Sequence, residues 1–372
     1  MTTKQKLSDV IQVNPRRQLK KGNIAPFVAM ENIVPYEKQI SEYTQRKISG
    51  SNSKFKNGDT LLAKITPSLE NGKTVFVDFL KKNEIGHGST EFFVLCGKEN
   101  QILDQFVYYL MRTSEFREEA IRSMTGTSGR QRVQETVFDD YEIILPTISI
   151  QEKISKPLSD LDAKIQNLQN QNRILEQMAQ AIFKSWFVDF DGVTEFEDSE
   201  LGKIPQGWSV KKIGDVIELL YGKSLTKENR VHGNIPVYGS SGIVGFHNQS
   251  LSTKKGIIVG RKGNVGSVYL SSNSFYAIDT AYYVKTELSL HYVYRNFQNQ
   301  NFINSDSSVP GLSRDQAYSL PILIPKNVIL EKFENISSKI QIILEKNKNL
   351  ILTLTKTRDT LLPKLMSGEI RV

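Results

Sequence analysis

Cysteine is nearly absent from this chain: Cys96 is the only one in 372 residues. An internal disulfide is therefore excluded, and a reducing compartment, the cytoplasm, is the expected location. No stretch approaches the roughly 18 uncharged apolar residues that cross a bilayer, and Met1-Thr2-Thr3-Lys4 leads into no apolar signal core, so no membrane partner is expected. The four histidines, His87, His232, His247 and His291, stand apart from one another and from Cys96. No zinc spacing results, and no metal site is expected. A Gly-x-Ser-x-Gly elbow is missing, and so is an Asn-Pro-Pro-Tyr or Asp-Pro-Pro-Tyr run, so neither a serine nucleophile nor adenine methylation by this chain is expected.

Two weaker patterns fail for stated reasons. Gly260, Gly263 and Gly266 ahead of Ser267 lack the spacing and the lysine of a phosphate loop, so a tight strand-turn-strand is the reading. Asp139-Asp140 with Asp162-Ala163-Lys164 imitates a nuclease's carboxylates and lysine, but Leu161 and Ile165 bracket that triplet on a helical seam. Solvated helix surface is expected there, and no catalytic residue is assigned.

What is present is a folded, basic chain. A hydrophobic share of 39% with 24% charged residues is ordinary for a globular protein. The length suits two domains of roughly 100–150 residues with connecting helices. A net charge of +8 favours a polyanion partner. Positive charge lies on both globular parts and on the last segment, whereas Asp189, Asp191, Glu195, Glu197, Asp198 and Glu200 make the middle linker acidic.

Ile154, Leu158, Leu161, Ile165, Leu168, Asn172, Leu175, Ala179, Ile182 and Trp186 follow alternating four-three spacing, the seam of a coiled coil. A second copy follows near the C-terminus. Leu145-Pro146 corresponds to Ile324-Pro325, Glu152-Lys153 to Glu331-Lys332, and the same offset sets Phe333, Ile340, Leu344, Asn347, Ile351, Leu354, Leu361 and Leu365 on a matching seam. Each seam needs a cover, and the other copy is the nearest, so an intramolecular antiparallel pair is expected. Asn172 then faces Asn347, Ile154 faces Leu365 and Ile165 faces Leu354; a buried Asn pair would fix that register.

The duplication extends to the globular parts. Leu7-Ser8-Asp9-Val10-Ile11 opens the first and Ile213-Gly214-Asp215-Val216-Ile217 the second. Short β-branched and aromatic runs between turn clusters indicate strands in both, with helical stretches at Leu103–Arg122 and His291–Phe302. The expected fold is α+β: two similar strand-rich domains separated by two long antiparallel helices with pseudo-twofold duplication. The segments are 1–147 for the first domain, 148–190 for the first helix, 191–325 for linker and second domain, and 326–372 for the second helix and tail. About 37 helical residues make a rod of roughly 55 Å, longer than the roughly 34 Å of one DNA turn. Such a rod would act as a ruler between two readers.

Basic side chains beside glycine, serine and asparagine mark candidate DNA contacts, because the backbone there can approach phosphates while Arg and Lys release counterions. In the first domain these are Arg16, Arg17, Lys20, Lys21, Lys64 and the loop residues Thr127, Ser128, Arg130, Gln131 and Arg132. In the second they are Tyr221, Lys223, Lys254, Lys255, Arg261, Lys262, Asn264, Ser313 and Arg314. Arg130, Gln131, Asn264 and Arg314 are the candidates for reading base edges.

The whole chain resembles the specificity subunit of type I restriction-modification systems. The resemblance rests on Leu145-Pro146 with Gln151-Glu152-Lys153-Ile154, on Ala181 to Phe190, on Ile204-Pro205-Gln206-Gly207-Trp208 and on Leu361 to Ile370, in this order and in two copies. Gln151-Glu152 reverses the order common in that family. The resemblance implies a non-catalytic, DNA-reading subunit with two target-recognition domains, each reading half of an interrupted target in double-stranded DNA. It implies two partner methyltransferase subunits that use S-adenosylmethionine, and motor and nuclease subunits that use ATP and magnesium; no cofactor is implied for this chain. The rival readings are a duplicated coiled-coil scaffold that binds protein or glycan, and a stand-alone nuclease. Steep salt dependence of DNA affinity would separate the first reading from the scaffold.

Overall fold

The computed structural model describes residues 4–48, 52–302 and 311–372. The chain forms two compact units, one made of Met1–Gln169 with Leu350–Val372, the other of Asn170–Asn349. These units cut across the four segments laid out from the sequence, because each long helix gives part of its length to each unit.

In the first unit β1 (Lys4–Lys6) leads through α1 (Leu7–Val10) into β2 (Ile11–Val13) and β3 (Ile24–Val28). Then come β4 (Thr44–Lys47), β5 (Ser53–Phe55), β6 (Thr60–Ala63), β7 (Thr74–Phe76), β8 (Gly86–Gly88) and β9 (Phe92–Gly97). The apolar runs of β6 and β9 are buried along their length, and they form the middle of an antiparallel sheet in the order β2-β9-β6-β7. A second sheet, β4-β3-β8-β5, contains one parallel pair, β3 with β8. The helical stretch expected at Leu103–Arg122 is two helices, α2 (Asp104–Met111) and α3 (Ser114–Arg122), the latter started by Thr113, whose side chain accepts from the Phe116 amide. After α4 (Val137–Asp140), β10 (Glu142–Ile144) returns to pair with β1.

The long helix α5 (Ile148–Phe187) follows, 40 residues without a break. Gln151 near its start is fully buried: its Oε1 accepts from the Leu103 amide at 2.8 Å and its Nε2 donates to the carbonyls of Gln101 and Pro146. A glutamate there would have no N–H for those two carbonyls, which gives the reversed Gln-Glu order a structural reason.

The later part of the acidic stretch read as a linker is an antiparallel hairpin, β11 (Phe196–Ser199) with β12 (Gly202–Pro205), turned at Glu200 and Leu201 and entering β12 at Gly202, whose φ is positive. The second unit then repeats the first: β13 (Ser209–Lys212), α6 (Ile213–Val216), β14 (Ile217–Tyr221), β15 (Ile235–Gly239), β16 (Gly242–His247), β17 (Gly256–Gly260), β18 (Val268–Ser271), β19 (Tyr276–Ala277) and β20 (Ala281–Thr286). Its main sheet, β14-β20-β17-β18, matches the first unit's strand for strand, and its second sheet, β16-β15-β19, repeats the parallel pair in β15 and β19. The glycines from Gly260 to Gly266 turn β17 back into β18, with the Gly260 amide on the Ser267 carbonyl at 2.7 Å. Helices α7 (Leu290–Asn299) and α8 (Arg314–Ser319) follow. Strand β21 (Pro321–Ile324) pairs with β13 as β10 pairs with β1, and α9 (Asn327–Met366) closes the duplication.

The helices run antiparallel in the expected register within each unit. In the first, Ile154 and Leu158 of α5 share a core with Leu362 and Leu365 of α9. In the second, Ala179 packs with Ile340 and Leu344, and Asn347 Nδ2 donates to Asn172 Oδ1 at 2.9 Å. Towards the end of α5 the buried face moves on by one position, from the expected Ile182 and Trp186 to Phe183 and Phe187, the drift of a 3.6-residue helix against a strict heptad. Cysteines at 172 and 347 are expected to form a disulfide on mild oxidation of the folded protein, with buried Cys96 as a non-competing thiol. Failure to cross-link would exclude this register.

Asp162 corrects the solvated-helix reading. Its side chain is 4% exposed, accepts from Arg358 Nη1 at 2.7 Å and from the Tyr109 hydroxyl at 2.7 Å. Lys38, whose pKa burial lowers, lies 3.3 Å from that hydroxyl and over the rings of Phe76, Tyr108 and Tyr109. The triplet thus holds a buried ion pair and no exposed carboxylate.

Candidate nucleic-acid interface

Strand directions decide which candidates meet. In the first unit β2 and β6 both run antiparallel to β9, so the end of β2, the end of β6 and the start of β9 reach one edge of the sheet. Arg16 leaves that edge after β2 and Lys64 after β6, with Lys64 Nζ 5.4 Å over the Phe93 ring. The loop carrying Thr127 to Arg132 is bonded to the same edge: the Val133 amide donates to the Lys64 carbonyl at 2.8 Å and the Thr66 amide to the Gln131 carbonyl at 3.0 Å. Thr127, Ser128 and Arg130 are exposed.

The charges differ in what they can still do. Arg132 forks onto Glu91, with Nη2 to Oε1 at 2.7 Å and Nε to Oε2 at 2.9 Å, and that hydrogen bonding lowers the Glu91 pKa. It braces the loop. Arg17 corrects the sequence reading: its guanidinium is 8% exposed and clasps the buried carboxylate of Asp59. Burial pushes the Asp59 carboxyl up to about 6, against the opposing Lys56 amide and Arg17. Arg17 thus lines a cleft of about 680 Å³ with its charge already paired, while Arg16, Lys54 and Lys64 line the same cleft. No ion pair joins these three among the described residues. Glu91, the nearby carboxylate that Lys64 also stabilises, is already bound by Arg132, so cations lining one cleft outside any ion pair favour an anion. Lys20 and Lys21 lie in the turn ahead of β3, where the Gly22 amide meets the Ile48 carbonyl, and so belong to the second sheet.

The second unit repeats the edge. β14 ends at Tyr221, beside Tyr282 of β20, and β17 ends at Gly260. Arg261, the next residue, stands 5.0 Å over the Tyr221 ring and 5.7 Å over Tyr282, and Arg314 stands 4.5 Å over Tyr221. The Leu312 amide donates to the Arg261 carbonyl at 2.9 Å, the counterpart of Val133 on Lys64. The Tyr282 hydroxyl donates to the Leu312 carbonyl at 3.0 Å, and burial pushes its pKa up to about 12. Lys223 is reached through Gly222, where an added Cβ would lie 2.1 Å from the Ile278 carbonyl oxygen, so only glycine fits. Lys223, Lys262, Asn264, Ser313 and Arg314 are all exposed. Residues 307–310 of the expected loop lie outside the described residues.

Lys254 and Lys255 do not join this edge. They precede β17, about 20 Å or more of strand away from Arg261, and Lys255 pairs with Glu334 at 3.4 Å. Burial opposes ionisation of Glu334, but hydrogen bonds from His291 and Ser289 outweigh it and bring its pKa down to about 2. Gln18, Asn52, Lys54 and Thr90, which also line the first unit's cleft, were missed from the sequence. The signal for Lys54 was the polar run Ser51-Asn52-Ser53-Lys54, which has the composition used to choose the other loops.

Among the described residues no three His, Cys, Asp or Glu side chains gather as a metal site, and no helix is long and apolar enough to cross a membrane. Comparison with known proteins returns one family twice. The type I restriction modification DNA specificity domain matches residues 3–177 and again 205–353. The MjaIX type I restriction enzyme specificity subunit of Methanocaldococcus jannaschii is 29% identical over 307 residues, covering 73% of this chain and 70% of that protein. The HindI specificity subunit of Haemophilus influenzae is 24% identical, covering 85% of this chain and 87% of that one. The crystal structure of the type I restriction-modification S subunit from M. genitalium aligns with a TM-score of 0.59 at 18% identity, over 98% of this chain and 96% of that one, a match of fold.

Proposed function

The chain belongs to the type I restriction-modification DNA specificity family, and from that premise we propose that its two sheet edges each read one half of an interrupted target in double-stranded DNA. One observation carries this reading. In both units the residue after the central strand is a cation, Lys64 or Arg261, set over an aromatic ring of the neighbouring strand, with a loop amide bonded to its carbonyl. Two copies of one basic edge suit two similar contacts on one polyanion.

The antiparallel helices would fix the spacing between the halves, with Asn172 and Asn347 holding the register. The chemistry would come from partners: two methyltransferase subunits using S-adenosylmethionine to modify adenine, and motor and nuclease subunits using ATP and magnesium. This chain's role is to select the site and place them.

The test is DNA affinity of the assembled complex across a salt series. Arg261→Ala is expected to reduce the slope of log affinity against log salt by about 1 and to weaken all sequences, if its contact is to phosphate. Lys254→Ala, at the other end of the strand, is expected to leave the slope unchanged. Equal slopes for all three proteins would remove the sheet edge from the interface.

A further inference from the structure

The first unit has a three-residue strand, β5, at the edge of its second sheet, where the second unit has, among the described residues, only the single antiparallel bridge Ser252–Phe275. Asn52, just ahead of β5, lines both the 680 Å³ cleft and an adjoining hollow of about 460 Å³. Behind it His87 is 1% exposed, edge-on to Phe27 at 5.0 Å. His87 Nε2 lies 3.3 Å from the Arg46 carbonyl oxygen, which can only accept, so Nε2 carries the proton. Burial lowers the pKa of His87 against the backbone carbonyls of Arg46 and Ala25, which favours the neutral ring. Nδ1 is then an acceptor and takes one N–H from Asn52 Nδ2 at 3.0 Å.

This fixes the carboxamide. One N–H is spent on His87, which leaves Oδ1 and the second N–H of Asn52 without a partner among the described residues, an acceptor and a donor side by side. The same pair complements the N6 donor and N7 acceptor that adenine presents in the major groove. The lysines and arginines of the cleft have no acceptor and cannot make that match, whereas Gln18 on the same cleft carries the same pair but is exposed and has no side-chain hydrogen bond among the described residues to orient it. The cations supply the charge that holds the backbone nearby.

We propose that Asn52, oriented by His87, reads one adenine of the half-target contacted by the first domain. The inference rests on the bipartite reading above and adds a base identity to it. His87 is a positioning residue.

Adenine methylation mapped across a genome is the first arm, using the full chain with its methyltransferase subunit. The wild-type motif should contain a fixed adenine in the half that the first domain sets. Asn52→Ala should relax that one position and leave the other half intact. His87→Phe, which keeps a ring and removes Nδ1, should relax the same position only. The second arm needs no variant to fold: 7-deazaadenine, which lacks N7, replaces each adenine of that half in turn in a binding duplex. Wild-type affinity should fall about 5- to 100-fold at one position, and a folded Asn52→Ala complex should not distinguish the two bases there. An Asn52→Ala motif identical to wild type, or tolerance of 7-deazaadenine at every position, overturns the assignment. Absence of any interrupted motif in the wild type overturns the bipartite reading instead.

Discussion

Replacing Asp162 with alanine is expected to destabilise the first unit by about 3–5 kcal/mol, because it removes the buried carboxylate set among buried cations and leaves them the half-exposed Asp359, 2.8 Å from Arg358 and 3.7 Å from Arg112. Arg358 is 4% exposed and donates to Asp162. Lys38 sits beside the Tyr109 hydroxyl that donates to the same carboxylate, and Arg112, also buried, donates to Tyr108. Without Asp162 these positive charges face one another in a region of low dielectric constant. Urea unfolding measures the loss as a lower midpoint. The double variant Asp162→Leu with Arg358→Leu should recover much of it, since removing both charges also removes their desolvation cost. Equal losses in single and double variants would show that packing, and not charge, dominates here.

Phe187→Ala carries the second large effect, about 3–5 kcal/mol for an aromatic side chain lost from a filled core. Phe187 ends α5, and its ring lies 4.8 Å from Tyr292 of α7, 5.0 Å from Phe333 of α9 and 6.0 Å from Trp208 ahead of β13. One side chain therefore joins both long helices to the second domain's core. Phe187→Leu should restore most of the thermal stability. If Phe187→Ala instead unfolds at the wild-type midpoint, the aromatic cluster does not hold the helices to that domain.

How far the sequence could be read depended on how local each signal was. The long helices were legible because a heptad seam repeats every few residues, and the constant offset between Leu145-Pro146 and Ile324-Pro325 showed the second copy. The sheet-edge residues Lys64, Arg261 and Arg314 were legible as basic residues near turn clusters. What those charges face was not. Arg17 reads like Arg16 until Asp59, 42 residues on, is folded against it, and Lys255 reads like Arg261 until the strand between them sends the two to opposite ends. Asp162 looked solvated because its partners, Tyr109 and Arg358, are remote in sequence. Asn52 carried no signal of its own, since an asparagine among serines is ordinary turn composition, and His87 lies 35 residues away.

The most direct test of the two-reader proposal is a domain exchange. Residues 1–145 would be replaced by the corresponding segment of a relative with a different target, and adenine methylation would be mapped with the methyltransferase subunit present. The expected result is an interrupted motif in which one half changes while the other half and the spacing between them stay as in the wild type. A motif that changes in both halves, or keeps both, would contradict the assignment of one half-target to each domain.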